Sequence, residues 1–187
     1  MDQIIDSLKN YSYKYNANDN IYWNDINFLR MAMKANIFSL KYASKRLKSD
    51  KNFVLESVNK NGLSLKYAST ELRNDRDVVL EAVINNGMAL EYAPEELRND
   101  EEIVFEAVNS HGWALQHASK ELQNNKQIVL EAVKNIGTSL QFASNDLRND
   151  KNIVIEAIKN DGCSLYYSSQ KINYDKEIVL MSIKKDG

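Results

Sequence analysis

The chain has 187 residues, with 24 Lys+Arg against 26 Asp+Glu, one Cys, one Pro and six Gly. A single Cys excludes a disulfide framework and a Cys-based zinc site, and scarce Pro and Gly argue against disorder and a turn-rich all-β fold. A net charge of −2 lacks the long-range field of a dedicated DNA binder, which leaves a helical protein with enough chain to bury a sizeable core.

The opening residues MDQIIDSLKN lack a basic region followed by an apolar run, so they do not read as a secretory signal. No stretch approaches the ~20 apolar residues needed to cross a bilayer. A cytoplasmic location with no membrane contact is therefore expected. Ile4, Ile5 and Leu8 suit a short helix over residues 2–10. Residues 11–22 are rich in Tyr and Asn without periodicity and are expected to pack irregularly on the segment after them. Residues 1–24 form an N-terminal lead-in or cap in this reading.

From Asp25 onward the chain repeats. All six glycines are 25 residues apart: Gly62, Gly87, Gly112, Gly137, Gly162 and Gly187. Asp25, Asp50, Asp75, Asp100, Asn125, Asp150 and Asp175 share a second position, and Leu40, Leu65, Leu90, Leu115, Leu140 and Leu165 a third. The units run 25–49, 50–74, 75–99, 100–124, 125–149 and 150–174, with a half unit at 175–187. No gap is needed, and a fixed period of this length is the signature of a solenoid. Residues 25–187 thus form a single array.

Unit 50–74 shows the local logic. Asp50 is a good N-cap, since its carboxylate can accept from the free N–H groups of the first turn. Phe53, Val54, Leu55, Ser57 and Val58 spread over an arc of roughly 200°, wider than a helix buried on one side needs. That arc predicts a helix packed between two neighbours. Asn61-Gly62 should end it, with Gly supplying a left-handed C′ conformation. A shorter helix comes next, and Ser69 starts a last helical turn to Leu72. In the next unit Pro94 replaces that Ser, so Ala93 should end its segment. The predicted fold class is an all-α solenoid of 25-residue repeats, each a helix, a Gly turn and a shorter helix. The outer units differ: Met31 and Met181 stand where the inner units have Glu, and Ile37 stands where the others have Gly. These changes read as cap-like.

The strings VVLEAVINNGMALEYAPEELRND and IVLEAVKNIGTSLQFASNDLRND resemble the repeat family catalogued as domain of unknown function 4116. The resemblance spans residues 25–187. It implies a helical repeat protein found in arrays, and it implies no activity, cofactor or catalytic residue.

Three columns are candidate functional features. Glu56, Glu81, Glu106, Glu131 and Glu156 could form an acidic stripe, or simply pair with Arg73, Arg98 and Arg148. Tyr42, Tyr67, Tyr92, His117, Phe142 and Tyr167 could stack bases, one ring per repeat. Phe142 shows that no hydroxyl is needed, so packing explains this column more simply. The position after the glycine (Phe38, Leu63, Met88, Trp113, Thr138, Cys163) varies most and is the preferred marker of a contact surface. His111 and His117 have no positioned third ligand, Cys163 has no partner His in its unit, and no phosphate loop or HExxH pattern occurs. No enzymatic activity, metal or cofactor is expected. Charge is uneven: unit 25–49 carries six bases and one acid, and units 75–99 and 100–124 are each net −4.

The sequence therefore points to a protein-interaction scaffold. Its partner, a protein or peptide, would dock on units 75–124 through Met88, Glu91, Tyr92, Trp113, Gln116 and His117. Single-stranded nucleic acid is the alternative, disfavoured because only Lys41 and Lys66 put a base beside the rings. A further alternative is weak self-association of a monomer through the C-terminal half repeat, where Ile178, Val179 and Ile183 lack a following unit.

Overall fold

The computed structural model describes residues 21–35 and 39–186. Among the described residues every regular element is helical, and the repeat is an all-α solenoid. The long helices are α1 (Ile26–Ala35), α2 (Lys51–Lys60), α3 (Arg76–Asn85), α4 (Glu101–Ser110), α5 (Lys126–Asn135), α6 (Lys151–Asn160) and α7 (Lys176–Asp186). After each of α2 to α6 comes a six-residue 3₁₀ helix that starts on the glycine, such as Gly62–Tyr67 and Gly87–Tyr92. A last helical turn, such as Thr70–Arg73 or Leu147–Asn149, completes the unit. The predicted helix over 2–10 and the positions Ile37 and Phe38 lie outside the described residues.

The caps arise from side chains at fixed places. The carboxylate of Asp50 accepts from Phe53 N–H at 3.0 Å, and Asn125 does the same for Gln127 and Ile128. Ser69, Ser119 and Ser144 cap the last turn by accepting from the N–H of the leucine three residues on. Pro94 has no hydroxyl, and that turn has no side-chain cap. Ala93 ends its 3₁₀ segment as expected, with extended φ −76° and ψ 150°.

The core is a column of long helices stacked beside a column of 3₁₀ helices. Each of α3 to α6 packs against the long helix of both neighbours, and the 3₁₀ helices stack likewise. Phe53, Val54, Ser57 and Val58 of α2 are fully buried, and the matching four residues of α3 to α6 are equally inaccessible. The arc read from the sequence therefore faces protein on two sides. Leu40, Leu65, Leu90, Leu115 and Leu140 fill the space between the columns. In α7, Ile178 is buried, Val179 half-buried and Ile183 exposed, as a helix with one neighbour requires.

The glycines have a different reason from the one expected. No described glycine has a positive φ, so none serves as a left-handed cap. Their need is space. A Cβ on Gly62 would lie 2.1 Å from the carbonyl oxygen of Ala82 in the next unit, and one on Gly87 would lie 2.1 Å from that of Ala107. Gly112 and Gly137 face Ala132 and Ala157 at 2.5 and 2.4 Å. Here the turn backbone rests directly on the neighbouring helix.

An asparagine locks this contact. Asn85 Oδ1 accepts from Gly62 N–H at 2.7 Å, and its Nδ2 donates to Asn59 O at 2.8 Å. Asn135 clamps Gly112 and Asn109 O in the same way, and Asn160 clamps Gly137 and Lys134 O. Ser110 substitutes with longer bonds, accepting from Gly87 N–H and donating to Ile84 O at 3.2 Å each. At the first junction Lys60 occupies the clamp position. There Ser57 Oγ donates to Met33 Sδ, and Arg30 pairs with Glu56 at 2.5 Å.

Two further ladders cross the units. Ser69 N–H donates to Lys48 O, Ser119 to Arg98 O, Ser144 to Gln123 O and Ser169 to Arg148 O. Pro94 has no N–H and omits this rung. Ser44 donates to Trp23 O and to Asn24 Oδ1. Residues Ile21–Asn24, expected to be irregular in part, thus form a 3₁₀ turn standing where the last turn of a preceding unit would stand. The second ladder is ionic. Lys51 pairs with Asp75, Arg76 with Asp100, Lys126 with Asp150 and Lys151 with Asp175. The Arg76 guanidinium bonded to Asp100 holds that carboxyl below the usual range. Glu101 is acidic at the position of these bases. The residue it meets is Asn125, whose Nδ2 donates to Glu101 at 3.3 Å.

Two stability outcomes are expected. Gly87→Ala forces backbone apart and should cost about 1–3 kcal/mol, read as a lower urea midpoint. An unchanged midpoint would contradict the close approach. Asn135→Ala leaves a glycine N–H and a helix-end carbonyl without their partner and should cost roughly 1–3 kcal/mol. Asn135→Ser should cost less, since Ser110 makes both bonds; equal losses for the two variants would exclude the clamp.

Candidate functional site

The 3₁₀ segments build the face on which the candidate residues sit. Residues three apart eclipse in a 3₁₀ helix. In Gly87–Tyr92 this leaves Ala89 and Leu90 buried, Glu91 exposed, and Met88 and Tyr92 half-buried. In Gly112–His117 Trp113 and Gln116 are exposed and His117 is half-buried.

The six predicted contact residues do not share one pocket. Met88 lines a shallow groove of about 280 Å³ with Leu63, Asn85, Asn86, Ser110 and His111. Trp113 belongs to this edge, with its ring 6.3 Å from that of His111 and its Nε1 donating to Thr138 Oγ1 at 3.1 Å. Gln116 lies along the other edge, in a polar groove of about 410 Å³ with Lys120, Gln123, Gln141, Phe142 and Arg148. Glu91, Tyr92 and His117 meet between units 75–99 and 100–124. Burial pushes the Tyr92 hydroxyl up from its ordinary pKa, and a hydrogen bond to Glu91 adds to this. Burial pushes His117 down, against a smaller upward pull from Glu91, and Arg98 lowers it further. Its Nε2 is buried without a hydrogen-bond partner.

The aromatic column packs rather than projects. Tyr42, Tyr67, Tyr92, Phe142 and Tyr167 are partly buried against the hydrophobic core. Lys66 Nζ lies 5.6 Å from the Tyr92 ring centre, and Lys41 Nζ 5.4 Å from that of Tyr42. The Glu column also differs from expectation. Glu56 pairs with Arg30, Glu131 with Lys134 and Glu156 with Lys159. Arg73, Arg98 and Arg148 are not their partners, because they belong to the last turn, beside the 3₁₀ column. There Arg148 Nε donates to Tyr167 O at 2.6 Å.

Sequence reasoning missed two positions on this face. Gln123 replaces Arg and is buried, its Nε2 donating to the carbonyls of Leu115 and Ala118. It closes the end of the 3₁₀ segment that carries Trp113. The clamp residues Asn85 and Ser110 line the Met88 groove. The signal that could have found the clamp is a polar residue 23 positions after each of Gly62, Gly87, Gly112 and Gly137.

A family model described as Domain of unknown function (DUF4116) matches six overlapping stretches, residues 25–73, 50–98, 75–123, 100–148, 125–173 and 150–187. No curated protein matches the chain, and no solved structure matches it. Among the described residues no helix is long and apolar enough to cross a membrane.

The His117 environment has a pH consequence. The folded protein resists the proton that the unfolded chain takes up near pH ~6.5. Stability is therefore full above that pH and declines as pH falls below it. His117→Phe, with Phe142 as its precedent in the next unit, should flatten the decline between about pH 7.5 and 5.5. Urea midpoints at the two pH values test this, and an unchanged pH slope would contradict the role given to His117.

Proposed function

Because the chain belongs to the family of domain of unknown function 4116, whose name assigns no activity, we propose its role from geometry: a non-enzymatic scaffold that holds a protein or peptide on its 3₁₀ face. The observation that carries this reading is Trp113. It is a large aromatic residue left 42% exposed, yet its indole N–H is held by Thr138 and its ring borders His111. Tryptophan is among the commonest residues to dominate binding energy at interfaces. A side chain already held in place loses little freedom when a partner arrives. The stack beneath is tied by asparagine clamps, so the face is pre-formed. Met88 and His111 would flank the Trp113 anchor, and Glu91, Tyr92, Gln116 and His117 would extend the contact along the adjoining edge.

The nucleic-acid alternative draws less support. It needs rings that offer their faces and cations beside them. The rings are half-buried, and only Lys41 and Lys66 lie next to them in the chain. A cytoplasmic location belongs to the same reading.

The test is selection of binders from a random peptide display library, with affinities then measured by fluorescence anisotropy. Trp113→Ala should weaken the selected peptides by about tenfold or more. Trp113→Thr, which copies Thr138, should do the same with an unchanged melting temperature. Affinity in both variants unchanged from that of the unsubstituted chain would discard this surface. Salt-dependent binding of a poly-U oligonucleotide, with no peptide selected, would replace the reading with the nucleic-acid one.

A further inference from the structure

Resting on the scaffold reading, we infer that the partner is an extended peptide of split charge, acidic where it crosses units 25–74 and basic where it crosses unit 75–99. Side chains from two elements of each unit share one face. Gln116 and Lys120 line one groove with Gln141 and Asn145, the matching residues of the next unit. The middle of the 3₁₀ segment and the start of the last turn therefore point to the same side. Glu95 and Glu96 line the adjoining groove with Asn99, Ser119 and Glu121. At these register positions the fourth unit balances Lys120 against Glu121 and the second unit carries one acid, Glu71; the blocks themselves are Lys41, Lys45 and Lys66 in the first two units and Glu91, Glu95 and Glu96 in the third.

All six are exposed. None forms an ion pair among the described residues, whereas the far edge of the solenoid pairs its charges from unit to unit, as in Lys51 with Asp75 and Arg76 with Asp100. Lys66 marks the change of sign, its ammonium lying over the Tyr92 ring rather than against Glu91. Arg98 Nε and His117 Nε2 are buried without hydrogen-bond partners. The strip thus keeps two uncompensated charge blocks of opposite sign, side by side on a rigid support. A partner with the complementary order gains attraction over both blocks, and one with the wrong order meets like charge.

The spacing sets the length. Neighbouring helices pack about 8–10 Å apart, so units 25–49 and 75–99 are separated by about 16–20 Å. An extended chain rises about 3.3 Å per residue, which puts the acidic and basic centres of the partner about six residues apart.

The experiment uses the full chain and fluorescein-labelled nine-residue peptides. One has an acidic triplet, a three-residue Gly-Ser spacer and a basic triplet. A second has the same composition with alternating signs. In low salt the split peptide should bind about tenfold more tightly, and the difference should shrink as salt screens the charges. Reversing one block, Glu91→Lys with Glu95→Lys and Glu96→Lys, should abolish the preference. Reversing the other block as well, with Lys41→Glu, Lys45→Glu and Lys66→Glu, should restore it, since the peptide can then run the opposite way. Equal binding of the two peptides, or no rescue by the double reversal, overturns the inference. So does light scattering that shows a dimer lost on reversing one block, which would make a second copy the occupant. If library peptides depend on Trp113 while the split peptide fails, the charge inference alone falls and the scaffold reading stands.

Discussion

The contact between four turn glycines (Gly62, Gly87, Gly112 and Gly137) and an alanine carbonyl of the next long helix governs the rest of the array. It brings one unit's turn within van der Waals reach of the next unit's backbone, which only a residue without Cβ permits. The close approach would still leave the glycine N–H and the helix-end carbonyl to be satisfied. The asparagine of the following unit answers both at once, with one oxygen accepting and one nitrogen donating. Spacing and hydrogen bonding are thus set by one pair of residues, one in each unit. A neighbour lacking the clamp has to use another device, as the first junction does with Arg30, Glu56 and the Ser57 hydroxyl.

Electrostatics divides the molecule along its length. At the N-terminal ends of the long helices, a base in one unit meets the capping Asp of the next. That Asp therefore serves its own helix and the junction together. Where Glu101 takes the place of the base, Asn125 takes the place of Asp. The cap survives because Asn also accepts from the first-turn N–H groups, and a carboxylate does not face a carboxylate. On the 3₁₀ face no such pairing between units operates for the basic block around Lys41 or the acidic block around Glu91. The near-neutral total hides this division, since it sums a compensated edge and an uncompensated strip.

Much of this was legible because the repeat supplies its own comparison. Six glycines at one spacing, capping Asp residues and a wide apolar arc specify helix, stop and burial on two sides. The site was less legible. Met88 and Trp113 read as exposed neighbours of Glu91 and Gln116, but stacking of the units puts Met88 in a groove with Ser110 and His111 of the next unit and Gln116 in a separate one with Gln141. Glu56 and Arg73 looked like partners, yet Glu56 lies on a long helix and Arg73 on the last turn beside the other column.

The sequence by itself determined the register, the units and the positions of the caps, because these depend on local backbone chemistry that recurs every 25 residues. The tertiary structure alone decided why the glycines are glycines. Their φ values are ordinary, and the excluded atom is a carbonyl 20 residues ahead that only stacking brings near. It also decided which charges cancel, since pairing depends on distances across units rather than on composition within them.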